Sequence, residues 1–172
     1  MIPSRKQPPR SEVLMQPFVS KEGWYTLEYP RMWEVEIIED IPAFFDSISG
    51  AGALQVFAVQ MGLGLSDVTE THPFMKGETL TEKMKLFLEN HSISISNDDL
   101  AMTAITEKGD NDDRERTTYL VAKEYRVEDR FYMVCMLQKK NRFLLCLYNC
   151  AGSPSDEEAA IVGKIIQSIK IN

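Results

Sequence analysis

Two histidines, three cysteines and one acidic run are the side chains in this 172-residue chain whose types invite chemistry. His72 and His91 show no HxxxH spacing and the cysteines no CxxC, so a zinc site would have to borrow carboxylates or thiols from distant segments. His91 falls at the end of a helical pattern, where a cation meets the negative end of the dipole, and His72 precedes Pro73 in a turn; both read as structural. A cysteine nucleophile needs an exposed, electropositive setting with a base in reach. Cys135, Cys146 and Cys150 instead lie inside apolar runs, and their odd number does not suit a disulfide framework. The run Asp110, Asn111, Asp112, Asp113 offers oxygen ligands for calcium, but an EF-hand loop would need an oxygen ligand at Arg114 and a glycine at Glu115, so a solvated turn is expected. Gly62-Leu63-Gly64 lacks the third glycine or lysine of a phosphate loop, and Gly152-Ser153-Pro154 lacks the second glycine of a nucleophile elbow. The expectation is no catalytic residue, no cofactor and no metal, and a protein that is not an enzyme.

Charge and composition narrow the partners. Nineteen basic against 26 acidic residues give −7 and a pI near 4.9, which disfavours binding a phosphate backbone. Arg5, Lys6 and Arg10 are too few, and lack interleaved aromatics, for a nucleic-acid arm. The first sixteen residues hold no apolar run long enough for a secretory signal, no run in the chain reaches the length of a membrane span, and the cysteines fit a reducing compartment, so a cytoplasmic protein that does not enter membranes is expected. Residues 1–17, with Pro3, Pro8, Pro9 and Pro17 and three bases against one acid, read as a flexible basic tail on an acidic single domain spanning 18–172.

The elements follow from periodicity. Trp24 to Tyr29, Val35 to Ile38, Ala43 to Ile48 and Leu54 to Met61 read as four strands, punctuated by Pro30, Pro42, Gly50 and Gly52. Thr79 and Glu82 have capping-box spacing ahead of a helix ending near Asn90, with Leu80, Met84, Phe87, Leu88 and His91 along one face. Strands are expected at Leu100 to Glu107, Thr117 to Val127, Phe131 to Gln138 and Phe143 to Tyr148. A second helix runs from Pro154 to Lys170, with Ser153 as its cap and Pro154 opening it. Phe131, Met133, Cys135 and Leu137 alternate with Tyr132, Val134 and Met136, so neither face of that strand can be wet and a layer must cover each. A hairpin loop centred between Lys140 and Asn141 sets Cys135 opposite Cys146. The fold class is therefore α+β, an antiparallel β-sheet with one helix on each face, in the order ββββαββββα.

Gly23-Trp24-Tyr25-Thr26-Leu27-Glu28-Tyr29-Pro30-Arg31-Met32-Trp33 resembles the opening of the Mog1/PsbP-like proteins, where an aromatic strand runs into Tyr-Pro and a Trp follows. The ending, with its apolar hairpin, capped turn and helix finishing Gln167-Ser168-Ile169-Lys170, resembles the same superfamily. The resemblance implies an α/β/α sandwich used mostly to bind other proteins: accessory subunits, a binder of a small GTPase, and adaptors or chaperones. The function expected is thus a non-catalytic, chaperone-like adaptor with a protein partner. A homodimer is compatible with it. The alternative is a small-molecule-binding protein or enzyme with a pocket between sheet and helix, for which the polar candidates are Tyr25, Tyr119, Tyr125 and Tyr132. The candidate partner surface is the 62–78 loop, whose Leu63, Leu65, Phe74 and Met75 carry more apolar area than a solvated connection needs; they either tuck against the edge of their own sheet as anchors or stay accessible to a partner segment.

Overall fold

The computed structural model describes residues 12–61, 79–94, 99–107 and 117–172. The acidic run at 110–113, His72 and the four apolar residues Leu63, Leu65, Phe74 and Met75 lie outside the described residues. Two short segments open the described chain, β1 (Met15–Val19) and β2 (Tyr25–Pro30), followed by a meander of β3 (Glu34–Ile38), β4 (Ile41–Phe45) and β5 (Gly52–Gln60). Helix α1 (Leu80–Asn90) precedes a second meander of β6 (Met102–Thr106), β7 (Thr117–Val127), β8 (Arg130–Lys139) and β9 (Arg142–Ala151), and the chain ends with α2 (Asp156–Gln167) and β10 (Lys170–Ile171).

The strands form two antiparallel sheets, a large one ordered β3-β4-β5-β9-β8-β7-β6 and a small one ordered β1-β2-β10. The element order is thus the expected one with a strand added at each end. β1 begins at Met15, inside the stretch expected to be tail, and Pro17 is tolerated there because β1 is an edge strand, which can spare one N–H. Hairpin β8–β9 is central, and its register sets Cys135 opposite Cys146 as the two-residue loop dictates. Helix α1 covers one face of the large sheet, burying Leu80, Met84, Phe87 and Leu88 with Val121, Val134, Met136, Phe143 and Leu145. On the other face Val162, Ile165 and Ile166 of α2 join Tyr25, Leu27 and Tyr29 of the small sheet over Phe44, Leu54, Val56, Leu137, Leu144 and Cys146. Trp33 folds back into this second core after Pro30 ends its strand.

Local chemistry explains three boundaries. Helix α1 begins with the expected reciprocal box between Thr79 and Glu82, and at its end His91 places Nδ1 2.7 Å from the Phe87 carbonyl oxygen with its ring 4.4 Å from the Phe87 ring. Helix α2 starts later than Pro154: Ser155 is the cap, its hydroxyl accepting from Glu158 N at 3.1 Å, while Ser153 receives a bond from Arg126. Strand β4, expected to run from Ala43 to Ile48, stops at Phe45, because Asp46 folds the chain over itself. Its carboxylate accepts from Ile48 N, Ser49 N and the Ser49 hydroxyl, and these bonds, the Ser49 hydroxyl foremost, hold its pKa below the usual carboxylate value.

Candidate functional site

Beside the turn that joins β1 to β2 the two sheets part, and a cleft of about 230 Å³ opens. Ser20 builds its near wall: it is buried, and its hydroxyl accepts from Trp24 N at 2.9 Å and Tyr25 N at 3.2 Å. Gly23 closes that turn at φ +70°, a conformation that favours glycine, with its N–H donating to Ser20 O at 2.8 Å. The floor is Phe18, Trp24, Tyr25, Val56, Phe57 and Ala58. The far wall is the β3–β4 hairpin, with Ile37, Ile41 and Pro42, and its tip residues Glu39 and Asp40 both stand in the left-handed region, at φ 51° and 65°. Neither is glycine or asparagine, so this two-residue turn stores about 1 kcal/mol or more per residue at the mouth of the cleft.

The rim is acidic. Glu22, Glu39 and Asp40 face a single base, Lys21, whose ammonium reaches Asp40 at 3.2 Å across the mouth. Both side chains are largely solvated, so the bridge contributes at most about 1 kcal/mol and opens readily. Ile37 in the far wall is 60% exposed and so leaves apolar surface at the mouth of the cleft. Two other hollows are less enclosing or more polar: one beside Asp46, Arg130 and Asn149, where Arg130 donates to Asn149 Oδ1 at 2.6 Å, and one along α2 beside Glu12, Val13 and Lys164.

The cleft floor carries one phenol, that of Tyr25. Burial, with smaller contributions from Cys146 and Glu22, pushes the Tyr25 phenol far up, so it stays neutral at physiological pH. Burial lifts the Cys135 thiol to about 12 and Cys146 well above its ordinary value, the latter helped by its neighbour Cys135. All three cysteines are free and buried. Among the described residues no three metal-ligating side chains converge, and no helix is long and apolar enough to cross a membrane.

The four tyrosines considered for a pocket are not brought together. Tyr25 belongs to the α2 side of the sheet. Tyr125 and Tyr132 stack on each other with centroids 4.9 Å apart, and Tyr119 is exposed opposite Ala104. Sequence reasoning missed the cleft because its walls come from segments it treated separately; the available signal was Ile37-Ile38-Glu39-Asp40, two large apolar residues at a hairpin tip where polar ones are usual.

It also missed Glu158. This buried carboxylate accepts from Ala51 N at 2.9 Å, from Gly52 N at 3.1 Å and from the Tyr148 hydroxyl at 2.9 Å, tying helix α2 to the β4–β5 turn. Glycine is required there by close approach: a Cβ on Gly52 would collide with the Asn149 carbonyl, and one on Gly50 would lie 2.5 Å from Asp46 O.

Comparison of the fold with solved structures places it. The cyanobacterial PsbP (CyanoP) from Synechocystis sp. PCC 6803 superposes with a TM-score of 0.54 over 99% of both chains, at 13% identity. The chain therefore has the Mog1/PsbP-like fold, an α+β antiparallel sandwich with two helices. A protein from Bacteroides thetaiotaomicron VPI-5482 gives a TM-score of 0.47 at 16% identity, over 91% of this chain and 48% of its own. The Saccharomyces cerevisiae Ran-binding protein Mog1p gives 0.47 at 10% identity, over 93% of this chain and 96% of its own. No family model and no curated protein matches the chain.

Proposed function

We propose that the protein is a non-catalytic, chaperone-like adaptor of a reducing cytoplasm whose inter-sheet cleft receives an apolar side chain of a partner protein flanked by a basic residue. The observation that carries this reading is the cleft itself, an aromatic floor under an acidic rim with the exposed Ile37 in its far wall. Size supports a side-chain anchor over a metabolite, since 230 Å³ falls below the roughly 300 to 1,000 Å³ of ordinary small-molecule pockets. The alternative reading placed its pocket between sheet and helix, whereas this cleft lies between two sheets.

One anchored residue contributes about 1.5 to 3 kcal/mol, well short of the roughly 8 kcal/mol of micromolar binding. Further contacts around the mouth, beginning with the exposed Ile37, are therefore part of the reading. The rim's three carboxylates against one ammonium favour a cationic neighbour to that anchor and make association weaker at high salt. The test immobilises the full chain and its Ile37→Asp and Asp40→Lys variants against lysate of the native cells. The reading expects one stoichiometric partner on the parent chain, lost from both variants while their melting temperatures hold. Retention of that partner by both variants moves the site elsewhere, and a metabolite co-purifying in native mass spectrometry without a protein partner supports the small-molecule reading instead.

A further inference from the structure

The two sheets present four edges, and three of them are blunted against pairing with another chain. β1 carries Pro17, β10 has only two residues, and β3 carries Glu34 and Glu36, so a second strand laid along it would meet like charge. β6 is different. Met102-Thr103-Ala104-Ile105-Thr106 holds no charge, no proline and no glycine, its residues suit a strand, all five are exposed, and among the described residues β7 is its only strand partner, which leaves its outer side open.

We propose that β6 is a homotypic docking edge, pairing antiparallel with β6 of a second copy of this chain to join the two seven-stranded sheets. A second copy fits because the strand is self-complementary. With the twofold axis at Ala104, Thr103 lies opposite Ile105 of the other copy and Met102 opposite Thr106, so no like charges meet within the paired strands. Glu107, the nearest acid after the strand, is already held by Lys139 at 3.3 Å, which lowers the repulsion that a −7 chain would otherwise bring to its own copy. Met102 and Ile105 are 50% and 55% exposed and fall on opposite faces, so pairing covers apolar surface on both sides of the joined sheet. Five residues of strand cannot bury the roughly 1,200 Å² of a standard stable interface, which places the dimer in the weak, concentration-dependent class.

Sedimentation equilibrium of the full chain from about 10 µM to about 1 mM is the test, the upper end being where contacts of this size are populated. The parent chain should pass from monomer to dimer, with the β6 amides gaining hydrogen-exchange protection as concentration rises. The double variant Thr103→Lys, Ile105→Lys sets like charges directly across the axis and should stay monomeric throughout. The double variant Thr103→Glu, Ile105→Lys sets opposite charges across the same positions and should restore dimer. A parent chain monomeric at the highest concentration overturns the proposal, as does a dimer indifferent to the like-charge variant. Restoration of dimer by the opposite-charge variant is specific to this register; its absence in a folded variant, judged by an unchanged melting temperature, overturns the antiparallel pairing about Ala104.

Discussion

The two faces of the large sheet are covered by one helix each but are finished differently. On the α2 side the buried carboxylate of Glu158 is fully engaged, gathering Ala51 N, Gly52 N and the Tyr148 hydroxyl. On the α1 side the outcome is mixed, for the buried Thr117 hydroxyl lies 2.9 Å from that of Thr106 but two other groups are unmatched among the described residues. The Tyr125 hydroxyl is buried without a hydrogen-bond partner, and Lys83, in the apolar stripe of α1, is 4% exposed with no carboxylate or carbonyl bonded to its ammonium among the described residues. A buried polar group stabilises only when it is satisfied, so Tyr125 and Lys83 leave the α1 face with stability to gain that the Glu158 cluster on the α2 face has already secured.

The contrast is broken most severely at Glu158. Glu158→Ala leaves the buried Tyr148 hydroxyl and two part-buried backbone N–H groups without their acceptor and should lower the unfolding free energy by about 2 to 4 kcal/mol, read from urea denaturation. A loss below about 1 kcal/mol would mean the β4–β5 turn is held by something else. Tyr148→Phe removes one bond from the same group and should cost about 1 to 2 kcal/mol.

On the opposite face the signs reverse. Burial lowers the Lys83 pKa, with Glu82 pulling weakly the other way, so the unfolded chain binds the proton more tightly than the folded one. Stability therefore rises with pH between the lowered folded pKa and the model value of 10.5, and the full penalty applies below that window. Lys83→Met should abolish that slope and add about 1 kcal/mol at neutral pH; an unchanged slope would show the ammonium reaching water. Tyr125→Phe is the smallest effect, neutral to about 1 kcal/mol stabilising, and a loss comparable to that of Tyr148→Phe would reveal a partner for its hydroxyl. Thiol labelling sharpens the picture of the α2 core: with Cys135 raised to about 12 and all three thiols buried, native-state modification should be slow and should accelerate only on unfolding.

Much of this arrangement was legible before any coordinates. The β8–β9 hairpin declares itself because its apolar residues occupy both faces and Lys139 to Arg142 leave room for only a two-residue turn, which fixes the Cys135–Cys146 pair. The strand β1 was hidden by Pro17, which argues against a strand anywhere except at an edge, and no local pattern reveals an edge. Ser153 and Ser155 flank the same proline, so the rule that favours proline at the first helical turn selects the wrong serine. Gly50 and Gly52 look like punctuation; Gly50 is held close to the Asp46 carbonyl four residues before it, whereas the constraint on Gly52 comes from Asn149 and Glu158, about a hundred residues away in sequence. The cleft is illegible for the same reason, being an encounter between a turn at 20–24 and a hairpin tip at 37–42.

The strand order carries one more implication. β3, β4 and β5 are chain neighbours, as are β6 to β9, and the two meanders meet in the large sheet along a single ladder, β5 against β9. That ladder is nine residue pairs long, from Gly52–Cys150 to Gln60–Arg142, and is reinforced by Glu158 and by β10 pairing with β2. Covalent continuity through the connection from β5 to α1 is therefore dispensable in principle: chains divided there would each keep one whole meander and find the other by strand pairing. The fold is in this sense a natural split reporter, whose halves regain the native sheet only when both are present.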